Sequence, residues 1–575
     1  MKLNCAAVPQ TYKIKKGLRH LFREDMIEQM PKEISLSACR NSTVAFQVLL
    51  TCDEGVIYNI GSRQYFAQRR KKSVRLVCDS ALECSFNHLE FIPDDEGFLV
   101  DDILGSSPVC EAEANSANGI YVEAKIPSDF TPGDYEITLD FLLSDMFSCE
   151  ECIGSVTAKI RVYDFVLPSK KENGFFLDLW QHNCNIARQY EVEAWSDEHF
   201  AILENYIKSL GEVGVKTATV IASDTPWSGQ WCHLEQRASA NLYEYSIIST
   251  VKEKDGGYSY DYSAMQRYID LCNKYGVDGE ISVYGLVNVW CDGLGGFDPI
   301  AKDHADGIKL RYFDHSDKKY KYMDKGEDID AYIKALLKYF EDTNQMEKVR
   351  LVADEPHDTE AYRKITNHLK ELAPNLKIKA ALNHSEFIKE FGDVVTDFVP
   401  SLRSLSKEFD MIKEYQKTMK DSRFTWYVCN NPHQPNAMLR NDLCETLFLG
   451  VLTSYWQLEG FLRWNYTVWT DEPRKSIAYF NWPAGDLCFV YPGKNGKPLY
   501  SLRLKALCRA IELSILLNAY RECGKDATPF FDRLMVEKNI EKYYVDDKII
   551  DADKICSLEY ADYEEVKEEI LKALS

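Results

Sequence analysis

The chain has 575 residues, 45% hydrophobic and 27% charged, which is enough apolar material for two or three packed domains and excludes a disordered chain. Its 68 lysines and arginines face 90 aspartates and glutamates, a formal charge of −22 that repels nucleic-acid phosphates and anionic lipid surfaces. Nucleic acid and membrane are therefore not expected partners, and the absence of a signal-like N-terminus or of about 18 consecutive apolar residues points to a cytoplasmic protein.

The 18 cysteines are scattered without a repeating spacing and read as thiols in a chain large enough to fold without staples. The CxxC at Cys149 and Cys152 lacks a second pair to complete a tetrahedral metal site and reads as a strand edge.

Residues 1–168 consist of short alternating segments rich in β-branched and aromatic residues, such as 43–50 and 135–141, and predict an N-terminal β-sandwich. Residues 126–135 place two prolines and a glycine between extended runs, a turn across one end of such a sandwich. The polar stretch 167–174 closes the domain.

From Phe175 the pattern becomes one of short apolar runs separated by longer amphipathic stretches, as in parallel βα units. Eight strands are expected, at 174–180, 215–222, 279–286, 348–353, 376–382, 398–402, 424–429 and 461–468. Helices are expected at 197–210, 263–275, 328–340, 358–371, 406–419, 439–456 and 502–517. The count predicts a (β/α)8 TIM-like barrel over 169–520, followed by a short C-terminal helical appendage over 521–575. An open doubly wound sheet is the rival, but no glycine-rich phosphate turn follows the first strand.

In such a barrel the chemistry sits at the C-terminal strand ends. Those ends carry Trp180, Gln181 and His182 on strand one, Asp354, Glu355 and His357 on strand four, and Asn383 and His384 on strand five. Asn430 and Asn431 end strand seven, and Trp464, Asn465 and Trp469 end strand eight. All ten tryptophans lie between Trp180 and Trp482, and those at strand ends or loops, including Trp227 and Trp231, offer the flat apolar platforms that sugar rings need.

Asp354 and Glu355 form the central motif, an apolar strand that ends in two adjacent acids before Pro356. Ionising one acid raises the pKa of the other, which suits general acid catalysis. The structural alternative is a helix cap, Asp354 with Pro356 in the first turn. Ordinary glycosidases place two carboxyls on opposite sides of the scissile bond. Adjacent acids suit a substrate whose own 2-acetamido oxygen attacks the anomeric carbon, one acid orienting the amide and the other protonating the leaving oxygen.

Together with the acid pair, Leu177-Asp-Leu-Trp-Gln-His182, Gly460-Phe-Leu-Arg-Trp-Asn-Tyr466, Ala484-Gly-Asp486, Tyr491-Pro-Gly493 and Ser501-Leu-Arg-Leu504 make the chain resemble glycoside hydrolase family 123. The resemblance implies an exo-acting, retaining β-N-acetylgalactosaminidase, needing no cofactor and working through an oxazolinium intermediate. Asp354 then corresponds to the acid that orients the acetamido group and Glu355 to the general acid/base. The expected partner is a carbohydrate, as glycoside or oligosaccharide.

Two other readings stand beside this one. A glycosidase for a sugar without the acetamido group would need a separate nucleophile such as Asp397 or Asp471, and a carbohydrate-binding protein would have no need of the acid pair. A metal hydrolase is disfavoured because His182, His357, His384 and His433 lack a His-x-x-x-His spacing.

Overall fold

The computed structural model describes residues 1–16, 25–61, 72–224, 226–227, 244–287, 299–356, 358–383, 386–479, 482–544 and 550–575. It is a mixed α/β protein whose N-terminal part is built from two six-stranded sheets.

The run Ser42–Cys52 shows why the sequence builds these sheets. Alternate residues point to opposite faces of a strand, and here both faces are buried. Val44, Phe46, Val48 and Leu50 enter the core between the two sheets with Ile137, Leu139 and Ile160, while Ala45 packs with Tyr121, Leu443 and Leu502 toward the remainder of the chain. That double burial explains the nearly unbroken apolar run.

Eight strand positions follow: β1 (Phe176–Leu179), β2 (Thr217–Ile221), β3 (Glu280–Tyr284), β4 (Val349–Asp354), β5 (Ile378–Leu382), β6 (Val395–Pro400), β7 (Arg423–Phe424 and Trp426–Tyr427) and β8 (Gly460–Arg463). The expected run 461–468 stops at Arg463, because the chain beyond it turns into the loop carrying Trp464. All pairings among the eight are parallel, β2-β3-β4-β5-β6-β7 in one sheet and β7-β8-β1 in another. Single parallel bridges, Leu177 to Val215 and Ser401 to Tyr427, connect the two sheets at both edges.

The main helices are α1 (Asp197–Val213), α2 (Ser263–Lys274), α3 (Gly326–Asp342), α4 (Thr359–Leu372), α5 (Leu402–Thr418), α6 (Leu443–Tyr455), α7 (Leu502–Glu522) and α8 (Tyr560–Leu574). Several starts are written in the sequence as caps: Ser196, Asp358, Ser401, Asp442 and Ser501 each accept a backbone N–H of the first turn. Helices α6 and α7 meet so closely that a Cβ on Gly450 would lie 1.9 Å from the Ala510 carbonyl oxygen.

Charges are buried in the early parts of the strands. Lys379 pairs with Asp178 and, at 2.9 Å, with Glu280. Arg423 bridges Glu280 at 2.6 Å and Asp397 at 3.2 Å, and Arg350 holds Asp397 at 2.7 Å. Thr217 donates its hydroxyl to Asp178 at 2.6 Å. Burial alone would raise the Glu280 carboxyl, but Lys379 and Arg423 outweigh it and hold it at about 2. Asp397 is thus committed to two arginines, which removes it from the role of a free nucleophile, and Asp471 lies exposed outside any strand.

Above this belt a compact apolar cluster takes one residue from or just beyond each strand: Trp180, Ile221, Tyr284, Val352, Ala381, Val399, Tyr427 and Leu462.

The two parts of the chain are joined by buried polar contacts. Asp102, from the strand Leu99–Leu104, pairs with Arg503 of α7 at 3.0 Å, both side chains fully buried, and accepts the Tyr491 hydroxyl at 2.6 Å. Lys13 donates to the carbonyls of Leu439 and Asn441 at 2.5 and 2.7 Å. Helix α8 returns to the N-terminal sheets, where Tyr163 donates to Glu568 at 3.1 Å and Gln10 to Tyr560 at 3.3 Å. The tail from 521 onward is therefore packed against both parts.

Removing one partner of a buried ion pair strands the other. Asp102→Ala is expected to lower unfolding stability in urea by about 3–5 kcal/mol, and the double change Asp102→Leu with Arg503→Met to recover most of it.

Candidate active site

Asp354 is the last residue of β4. On a regular strand its successor would point to the opposite face. Glu355 escapes this by adopting φ +45°, a left-handed conformation that costs a non-glycine residue about 1–2 kcal/mol. Its amide donates to the Ala381 carbonyl at 2.9 Å, so the turn is tied to β5. Both carboxylates consequently line one cavity of about 280 Å³.

Tyr427, buried at the end of β7, donates its hydroxyl to Glu355 Oε1. Burial raises the Glu355 pKa above its ordinary 4.5; the Tyr427 hydrogen bond and the Arg403 charge partly oppose this, and Asp486 adds to it. Such a carboxyl is poised to carry a proton nearer neutrality than a free glutamate.

Of the sequence-predicted residues, the cavity brings together Trp180, Asp354, Glu355, Asn383, Asn430, Asn431 and Trp464. Trp180 is buried and stacks at 6.0 Å on Trp227, and Trp464 is half-buried. Asn383 accepts the Ser401 hydroxyl at 3.2 Å.

Five others stand outside the cavity lining. Gln181 is buried and spent on structure: its side-chain oxygen accepts the Thr219 amide at 2.8 Å and the Tyr268 hydroxyl at 2.9 Å. His182 is buried, its ring 4.8 Å from Trp227 and 6.2 Å from Trp464. Asn465 is fully buried, with neither side-chain atom hydrogen-bonded to another described residue. Trp469 packs against Tyr206 at 5.7 Å and donates to the Val490 carbonyl at 2.8 Å, a structural placement. Trp227 forms part of the apolar cluster with Trp180 and Tyr284. Trp231, His357 and His384 lie outside the described residues.

Sequence reasoning missed Ser401, Arg403, Tyr427, Trp482 and Tyr544 as lining residues. Tyr427 and Ser401 stand at strand ends and were findable by the rule that found Asp354. Arg403 follows the α5 cap, and Tyr544 arrives from the C-terminal tail, where it receives a hydrogen bond from Asn431 at 3.3 Å and lies 5.5 Å from the Arg403 guanidinium.

Behind the cavity, Arg463 at the end of β8 is fully buried and pairs with Asp486 at 2.8 Å, also donating to the Val428 carbonyl at 2.7 Å and Asn436 at 2.8 Å. Gly485 has φ +99°, and a Cβ there would sit 2.6 Å from the Leu439 nitrogen. The model of the glycoside hydrolase 123 catalytic domain matches residues 180–519, more than half of the chain. The chain belongs to glycoside hydrolase family 123.

It is accordingly a glycoside hydrolase that acts on a carbohydrate. A family 123 glycoside hydrolase from Clostridium perfringens, studied for glycolipid glycan hydrolysis, superposes with a TM-score of 0.77 at 17% identity, covering 100% of this chain and 99% of that one. At that identity the likeness speaks for the fold. SrfJ from Salmonella typhimurium (TM-score 0.33, 9% identity, 64% of this chain and 82% of that one) and a cyclomaltodextrinase (0.31, 9%, 83% and 82%) are too distant to carry an argument. A comparison with curated proteins finds no match.

The raised Glu355 pKa fixes a stability signature. A carboxyl whose folded pKa lies above its unfolded 4.5 contributes stability fully below 4.5 and loses it as pH rises through the folded value. Thermal unfolding of Glu355→Gln and the unaltered protein should therefore differ little at about pH 4, with the variant gaining relative stability toward about pH 7. An offset that does not change with pH would contradict the assignment.

Proposed function

We propose that this family 123 enzyme is an exo-acting, retaining hydrolase that removes terminal β-linked N-acetylgalactosamine or a related N-acetylhexosamine by substrate-assisted catalysis. The observation that carries the reading is the left-handed turn at Glu355, which puts two sequence-adjacent carboxylates on one cavity. In this reading the eight parallel strands and their two edge bridges form a (β/α)8 barrel over 169–520, with the sandwich at 1–168 and the tail at 521–575. Support comes from the cluster that draws on all eight strand positions and from the parallel pairing throughout.

The acetamido oxygen attacks the anomeric carbon as the glycosidic C–O bond breaks. Glu355 gives its proton to the departing oxygen, and Asp354 accepts the amide N–H and stabilises the positive charge of the oxazolinium. Water then opens this ring at the anomeric carbon, giving its proton to the Glu355 carboxylate, and two inversions leave the configuration retained. Tyr427 holds Glu355 in place by its hydrogen bond. Trp180, Trp464 and Trp482 supply apolar faces for the sugar ring, and Asn383 and Asn430 hydrogen-bond its hydroxyls.

The Clostridium perfringens enzyme was studied for its hydrolysis of glycolipid glycans; for this chain the substrate we favour is a short soluble glycoside, in line with a cytoplasmic setting. The sixteen cysteines among the described residues are all free thiols, which suits that compartment, and no described helix is long and apolar enough to cross a membrane.

Assayed on aryl β-glycosides, the enzyme should turn over N-acetylgalactosamine or N-acetylglucosamine derivatives and leave galactose and glucose derivatives intact. Glu355→Gln should lower kcat on a poor leaving group by roughly 100- to 10,000-fold, and Asp354→Asn by roughly 100- to 1,000-fold. Full activity on a sugar without the acetamido group would defeat the mechanism. Tyr427→Phe removes a contact that lowers the Glu355 pKa, so the alkaline limb of its kcat/KM profile should move to higher pH.

A further inference from the structure

Away from the cavity, three side chains converge that share no stretch of sequence. His304 lies in the segment between β3 and α3, Asp330 in the second turn of α3, and His368 in the third turn of α4. Asp330 Oδ1 is 3.3 Å from His304 Nε2 and 2.7 Å from His368 Nε2, and the three candidate ligand atoms all lie within 4.8 Å of one another. The two imidazole rings stand 5.3 Å apart at 88°. None of the three residues lines the active-site cavity.

Zinc binds imidazole nitrogen and carboxylate oxygen at about 2.0–2.2 Å, so tetrahedral ligand atoms sit about 3.3–3.5 Å apart. The His304 edge already has that length, and the His368 edge reaches it by opening about half an ångström. The surroundings of His304 fit a ligand. Its side chain is 3% exposed, against 24% for Asp330 and 28% for His368, so one nitrogen ligand is held in the protein while the open side faces solvent. Its Nδ1 lies 3.0 Å from the Asp306 carbonyl oxygen, which can accept the Nδ1 proton and leave the Nε2 lone pair for a metal, the outer contact typical of metal-bound histidine. The Asp306 amide, 3.1 Å away, satisfies the other tautomer, so the ring is seated in either state. The segment is anchored independently, because Asp303 accepts the Gly326 amide at 2.9 Å.

We propose that His304, Asp330 and His368 bind a divalent transition metal of the zinc class, with water at the remaining position. The ion fastens the β3-to-α3 insertion onto α3 and α4. That insertion carries the hairpin Arg311–Asp314 and Lys319–Tyr322, whose Arg311 and Tyr322 each reach Asp224 beyond β2 at 3.1 Å. The metal therefore steadies the flank of the strand ends without taking part in glycoside cleavage.

The test uses full-length protein with Cys149→Ser and Cys152→Ser, so that the exposed CxxC cannot bind metal. After chelation and dialysis, zinc titration should give about one bound equivalent and raise Tm, and cobalt should give a visible d–d spectrum. Changing His304 or His368 to Ala should weaken zinc binding by more than about 100-fold and abolish the Tm rise. Glycosidase kcat/KM of each variant serves as the folding control and should stay near that of the parent. Absence of zinc binding, or undiminished binding in properly folded His304→Ala or His368→Ala, overturns the proposal.

Discussion

Lys379 sits between Asp178 and Glu280 with almost no water around it, and the geometry of the strands above depends on that placement. An ammonium buried alone would be neutralised or expelled; between two carboxylates it stays charged. The same carboxylates and their neighbours reach Arg423, Asp397 and Arg350, so the belt crosses strands β1, β3, β4, β5, β6 and β7. A slip of any strand by one residue would turn its charged side chain out of the interior and leave its partners unpaired. Arg350 stands four residues before Asp354, so fixing its register fixes the acid pair on the order of 13 Å further along the strand.

The second constraint joins the two parts of the chain. Asp102, Tyr491 and Arg503 form one buried set, and Arg463 with Asp486 another. Most of the motif residues that mark the family therefore brace the site from behind. Only Trp180, Asp354, Glu355, Leu462 and Trp464 among them face the cavity. An arginine buried this deeply is a costly way to gain stability alone, yet its several fixed donors hold loop carbonyls that no helix or sheet would satisfy. Arg503 does this for Gly485 at 2.9 Å and Arg463 for Val428 at 2.7 Å.

Legibility in the sequence followed local physics. The strands were visible because a parallel strand buried on both faces must be a short apolar run, and most of the helices because they carry an apolar stripe, α6 being buried all round instead. Asp354 and Glu355 were visible because two acids ending such a run have no packing reason to be there. The same logic overstated Trp469 and Gln181, since a strand-end position does not say which way a side chain turns, and both turn inward to satisfy backbone or core. Tyr544 and the cluster of His304, Asp330 and His368 left no local trace, because their partners are brought together only by tertiary packing.

The turn at Glu355 shows where stability has been given up. The residue is non-glycine in a left-handed conformation, its carboxyl is buried enough for its pKa to rise, and a tyrosine hydroxyl is committed to hold it. The strained turn and the buried carboxyl each cost folding free energy, which the tyrosine hydrogen bond offsets only in part, and a glycine with no carboxyl would relax the backbone and remove the desolvation. None of them is needed to continue β4 or to start α4, whose cap is the separate Asp358. A helix-cap role for the acid pair therefore leaves this strain unexplained, whereas the proposed proton donor, sharing a cavity with its sequence neighbour, would account for it.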